Sequence, residues 1–147
     1  MADDSDDSDR PIRPASSALL TPDGLAFVTE YHLATLTTLL GDGSPHVVPV
    51  GFTFDAASGV VRVITSGTSQ KALNARRDPR VSVSQVEGGR WLTFSGRAQV
   101  LSDEASVQDA VTRYASRYRQ PRPNPLRVAI AFEVTRIMGS AGLLAER

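Results

Sequence analysis

The sequence predicts a mainly β fold with short helices: a small closed or split β-barrel of about six antiparallel strands. Three observations predict it. Strand-like runs are joined by hairpin-type turns at Gly41–Pro45, Asp55–Gly59 and Glu87–Arg90. Pro49, Gly51 and Gly96 fall inside strand-like runs, where they mark bends or bulges. Only short helix-like stretches lie between some of the strands.

Residues 1–20 are rich first in Asp and Ser, then in Pro, Arg and Ser, with almost nothing apolar before Leu19. They read as a disordered tail ahead of one domain over residues 21–147. Thr21 is placed to cap a helix, Pro22 suits its first position, and Asp23 faces the positive end of its dipole. This helix is expected to reach about Tyr31, with Leu25, Phe27 and Val28 inward. Leu33 to Leu40 reads as a strand with leucines on both faces, so both faces are expected to be covered. His46 to Phe54 is the second strand, and Pro49 demotes part of it to an edge or bend.

Val60 to Thr65 is the third strand. The helix after it ends near Arg77, because Pro79 disfavours helical geometry at Asp78. Val81 to Val86 alternates, with Val81 and Val83 inward and Ser82 and Ser84 on the other face. Trp91 to Leu101 is a long strand. Ser102 is placed to cap a helix whose apolar face is Val107, Ala110, Val111, Tyr114 and Tyr118, leaving Arg113 and Arg117 off that face. A rigid Pro/Arg loop, Arg119 to Pro125, leads into a last strand from Arg127 to Met138.

With 41% hydrophobic and 22% charged residues in 147, the chain suits one ordinary globular domain. No apolar run approaches the ~20 residues that span a bilayer, and the N-terminus lacks a signal-peptide layout. A cytoplasmic location is expected, with no membrane partner. The absence of cysteine excludes disulfides, thiol nucleophiles and thiolate metal sites. Zero net charge hides an asymmetry: residues 1–20 carry five aspartates against Arg10 and Arg13, so the body is mildly basic. That suits a small anion and is too weak for nucleic acid.

The stretch Ile64-Thr65-Ser66-Gly67-Thr68-Ser69-Gln70-Lys71 carries the most chemistry. A strand runs into a small-hydroxyl turn and then into a helix, where free N–H groups and the dipole favour an anion. Lys71 adds a full charge and is the single lysine beside 15 arginines. Lysine is a usual phosphate partner. The stretch matches neither a Walker P-loop nor a dinucleotide fingerprint, and a plain capped helix start explains the hydroxyls equally well. Acid–base machinery is sparse. His32 and His46 are the only histidines, no metal-ligand spacing is present, and no catalytic residue stands out. Such a chain can still be an enzyme when a cofactor carries the chemistry.

The chain resembles the split-barrel flavin/deazaflavin oxidoreductases related to pyridoxamine 5'-phosphate oxidase, and among them the F420-dependent biliverdin reductases. The stretches that carry the resemblance include Ser44-Pro45-His46-Val47-Val48, Val50-Gly51-Phe52-Thr53-Phe54-Asp55, Ser69-Gln70-Lys71-Ala72, Ser84-Gln85-Val86, Arg90-Trp91-Leu92 and Pro121-Arg122-Pro123-Asn124-Pro125. They fall in the right order over residues 21–145. The resemblance implies a homodimer with two sites at the interface and coenzyme F420, an 8-hydroxy-5-deazaflavin, as hydride donor. It implies a tetrapyrrole acceptor, biliverdin, reduced to bilirubin.

By position, the resemblance implies that His46, Val47, Val48 and Pro49, with Ile64, Thr65, Ser66, Gly67 and Thr68, line the cofactor. Ser69 is a further cofactor-binding position, Gln70 and Lys71 fall at the phosphate end, Ser84 and Gln85 near the ring, and Trp91 close by. Pro49 departs from the small residue expected there, and it has no N–H to donate. Arg119 and Arg122 are candidates for the anionic cofactor tail or the substrate propionates. FMN is the runner-up cofactor, on the same fold, and a non-catalytic deazaflavin-binding protein is the alternative of another class.

Overall fold

The structure, a computed structural model, describes residues 20–145. The expected tail lies outside the described residues except for Leu20, which bridges to Leu144. The elements are α1 (Pro22–Phe27), β1 (Ala34–Leu39), β2 (Pro45–Val50), β3 (Thr53–Asp55), β4 (Val60–Ser66), α2 (Gln70–Arg77), β5 (Arg80–Glu87), β6 (Arg90–Leu101), α3 (Glu104–Arg117) and β7 (Arg127–Gly139).

All strand pairs are antiparallel, in the order β2-β1-β5-β6-β7-β4-β3. There are seven strands rather than six, because the run His46–Phe54 breaks at Gly51-Phe52 into β2 and β3. The two strands that flank this break are the two edges of the sheet. Only two residues join them, so the sheet must curl, yet no ladder among the described residues pairs β2 with β3 or closes the barrel. Pro49 sits on edge strand β2, where its missing N–H costs no ladder bond. A Cβ on Gly51 would come within 3.0 Å of both Tyr114 and Tyr118, so the break packs bare backbone onto two rings of α3.

The core lies inside the curl. Phe27, Leu36, Phe52, Val61, Val83, Leu92, Phe94, Ile130 and Val134 are fully buried. The alternation read in Val81–Val86 holds, with Val81 and Val83 buried. β6 carries the expected irregularity at Ser95/Gly96. Four local expectations are corrected. α1 ends at Phe27, not Tyr31, although Thr21 does cap it by accepting the Gly24 amide. Asp103, not Ser102, caps α3. Leu33 is 54% exposed and precedes β1, so only the face bearing Leu36 is fully covered. Arg117 turns inward instead of lying off the packed face.

Candidate functional site

The hydroxyl turn folds as a relay of short bonds. β4 ends at Ser66, and the Gly67 N–H donates to the Leu126 carbonyl at 2.7 Å. A Cβ at Gly67 would sit 3.1 Å from that same oxygen, so glycine permits the approach. Thr65 donates its hydroxyl to Ser69 at 3.0 Å, and Ser69 caps α2 by accepting the Ala72 amide. Ser66 and Thr68 share a hydroxyl bond at 3.1 Å. Arg76 braces the turn from behind by donating to the Gly67 carbonyl at 2.8 Å. Gln70 donates to Asn74, and the fully buried Asn74 donates to Thr38, which ties α2 to β1.

A cleft of about 280 Å³ opens beside this turn. Its walls are the end of β2 (Pro49, Val50) with Gly51, the end of β4 (Ile64, Thr65, Ser66), and Lys71 of α2. Tyr114 of α3, Pro121, Asn124 and Arg127 complete it. The cleft lies where the sheet is split. β3 pairs only with Val60, Val61 and Arg62 of β4, so β4 from Val63 to Ser66 has one open edge. Alternate residues there aim N–H and C=O away from β7, ready to pair with a planar ligand's polar edge. Among the described residues no carboxylate pairs with Lys71 or Arg127, although the arginines 62, 80, 90 and 113 all have acidic partners. Arg127 spends one bond on the Arg122 carbonyl, at 2.6 Å. Two cations without counter-ions, two hydroxyls and an open strand edge fit an anionic group joined to a planar heterocycle.

The cleft thus brings together Pro49, Ile64, Thr65, Ser66 and Lys71, with Gly67, Thr68, Ser69 and Gln70 forming the turn behind them. Other predicted positions lie elsewhere. His46 and Val48 face inward from β2, and the buried Nδ1 of His46 has no hydrogen-bond partner among the described residues. Val47, Ser84 and Trp91 lie on the outer sheet face. Thr35 pairs with both Pro49 and Ser84, which puts Val47 and Pro49 on the Ser84 face, while Val86 pairs with Trp91. The Ser84 hydroxyl is bonded to Thr93 at 2.8 Å. Gln85 is 1% exposed; its Nε2 donates to the Phe27 carbonyl and its Oε1 accepts from Arg117. Arg119 and Arg122 are exposed and do not line the cleft. Sequence reasoning missed Tyr114, Asn124 and Arg127 as cleft residues.

The pyridoxamine 5'-phosphate oxidase family model matches residues 20–140. The chain belongs to this family. It is 58% identical over 125 residues to the F420H(2)-dependent biliverdin reductase of Mycobacterium tuberculosis, covering 85% of this chain and 91% of that one. Two solved structures share the fold of this family member. A conserved hypothetical protein of Mycobacterium tuberculosis superposes with TM-score 0.70 at 24% identity, over 83% of this chain and 86% of that one. An F420 reductase superposes with TM-score 0.63 at 23% identity, over 76% and 93%.

Proposed function

We propose that this chain is an F420H2-dependent reductase that converts biliverdin to bilirubin. One observation carries the reading: a cleft at the split of the sheet holds Lys71 and Arg127 with no acidic partner among the described residues, in a chain 58% identical to a reductase of that name. Lys71 and the Ser66 hydroxyl take the cofactor phosphate, and Arg127 takes an adjacent carboxylate or phosphate oxygen. The open edge of β4 and the rim at Pro49 hold the ring system, with Pro49 offering a flat apolar surface and no competing N–H. When bound, reduced F420 supplies a hydride, here to the central methine carbon of biliverdin.

Tyr114 and Pro121 wall the cleft. Among the described residues the cleft is lined by no histidine or carboxylic acid, and the proton that balances the hydride reaches the pyrrole nitrogen from water. Arg119 and Arg122, in the loop that borders Arg127, take the glutamyl tail of the cofactor or the propionates of the bilin.

The site is completed in a homodimer. Val47, Ser84 and Trp91 belong to the outer sheet face, where Val47 is 56% and Val86 60% exposed, and Pro49 lies both on that face and on the cleft. A second copy seated there covers the apolar side chains and brings its own Trp91 to the cleft rim. The protein acts in the cytoplasm; no helix among the described residues is long and apolar enough to cross a membrane.

Equilibrium binding tests the reading. Titration with F420, followed by its fluorescence, should give saturable binding that FMN displaces only weakly. Tight FMN binding with none for F420 would overturn the cofactor assignment.

A further inference from the structure

The C-terminal end of α3 converges on a single residue, Phe52, in a way the site does not otherwise explain. Arg117 is half-buried and its guanidinium reaches three separate segments. Nε donates to the Glu30 carbonyl at 2.9 Å, Nη1 to the Phe52 carbonyl at 2.7 Å, and Nη2 to Gln85 Oε1 at 2.7 Å. It also lies over the Phe52 ring, 4.6 Å from the centroid. Tyr118 reaches the same residue. Its hydroxyl accepts the Phe52 N–H at 3.1 Å and donates to the His32 carbonyl at 2.7 Å.

Phe52 is thus held at its N–H, its carbonyl and its ring by two adjacent residues. Its position in the fold gives this a consequence. Gly51-Phe52 is the whole connection between the two edge strands, and Gly51 is part of the cleft wall. Tyr118 and Tyr114 pack with tilted rings, centroids 4.9 Å apart, both rings abut the bare Cα of Gly51, and Tyr114 itself lines the cleft. No sheet ladder holds Gly51 or Phe52 among the described residues, since β2 stops at Val50 and β3 starts at Thr53. The clamp replaces the missing ladder bonds.

We propose that Arg117 and Tyr118 are positioning residues that set the width of the cofactor cleft by pinning the Gly51-Phe52 connection. This rests on the reading of the cleft as the F420 site. Gln85 is the third member: it holds Arg117 to β5 and, through the Phe27 carbonyl, α1 to the same point. Each bond of the clamp is directional, so the guanidinium fork cannot be replaced by a lysine, which keeps the charge and loses the geometry.

Tyr118→Phe tests the inference, because it deletes one hydroxyl and leaves the ring on Gly51. Arg117→Lys is the second variant, should the first prove too mild. Amide hydrogen exchange and F420 binding are measured on wild type and both variants. The expected result is faster exchange at the Phe52 amide with core β6 and β7 amides unchanged, and an F420 Kd raised about tenfold in a folded protein. The KM for reduced F420 should rise while the KM for biliverdin stays put. Saturating F420 should restore protection at Phe52 in both variants. A wild-type Kd in folded Tyr118→Phe and Arg117→Lys, with Phe52 exchange accelerated, would overturn the inference alone and make the clamp purely structural. Absence of F420 binding to the wild type would overturn the cofactor reading and this inference with it.

Discussion

The hydroxyl of Thr65, on the penultimate residue of β4, donates to the hydroxyl of Ser69, the cap of α2, at 3.0 Å. Strand end and helix start are therefore one unit, and the candidate anion site depends on a capping bond. Replacing Ser69 by Ala removes the cap and leaves the Ala72 amide and the Thr65 hydroxyl without partners. The expected cost is about 1 kcal/mol of stability, a fall of about 3 °C in Tm, with weaker F420 binding. Differential scanning calorimetry and a cofactor titration check both.

Lys71 is expected to act in binding rather than in chemistry. Lys71→Ala should raise the KM for reduced F420 by about 10- to 100-fold, equivalent to roughly 1.4–2.7 kcal/mol, while leaving kcat nearly unchanged. Lys71→Arg should recover part of the loss, since the charge returns with a different shape. Steady-state kinetics at varied cofactor separates these outcomes; an equal fall in kcat would move Lys71 into the reaction itself.

Asn74 is fully buried and holds three partners: it accepts from Gln70 at 2.7 Å and Arg77 at 3.0 Å, and donates to Thr38 at 3.0 Å. Asn74→Ala strands the buried Thr38 hydroxyl beneath the Lys71 helix, whereas the exposed Gln70 can turn to water and Arg77 keeps its bond to the Leu39 carbonyl. The expected loss is about 2–4 kcal/mol, read from urea unfolding midpoints.

Burial of Tyr118 raises its pKa above the ordinary tyrosine value, against weaker opposing effects of the Phe52 backbone bond and the Arg117 charge. A tyrosine whose folded pKa is raised contributes stability that is complete below the unfolded value, about 10, and is lost as pH rises through the folded one. The phenolate could not donate to the His32 carbonyl. Wild type should therefore lose stability at alkaline pH, above about 10, more steeply than Tyr118→Phe. Chemical denaturation of both proteins from pH 8 to 11 measures the difference; parallel curves would contradict the assignment.

Most of the ladder was legible because its signals are local. Val81–Val86 alternates, Asp42-Gly43 makes a hairpin whose Gly43 has φ 86°, and Pro49 marks an edge. Ser69 as a cap and Lys71 as the lone lysine likewise need only a few neighbouring residues to read. The seventh strand was hidden because a break at Gly51-Phe52 and a bend leave the same mark in sequence. Tyr114 and Arg127 were missed because the cleft is assembled from segments far apart in the chain, which no short spacing reveals.

Arg117 is the sharpest case. On a helical wheel it falls on the polar side, yet its long stem carries the guanidinium inward. Two of its three acceptors are backbone carbonyls, at Glu30 and Phe52, and every residue type supplies one. No side-chain pattern could announce them. Gln85, read in the sequence as lying near the ring, is the buried side-chain partner of Arg117, a pairing equally long-range.

The most direct measurement is an anaerobic reaction of the protein with biliverdin and reduced F420 deuterated at its transferable position. Cofactor oxidation and bilirubin formation should proceed together, with deuterium at the central methylene of bilirubin. Cofactor that binds and stays reduced, or bilirubin formed without the label, would contradict direct hydride transfer in the Lys71 cleft.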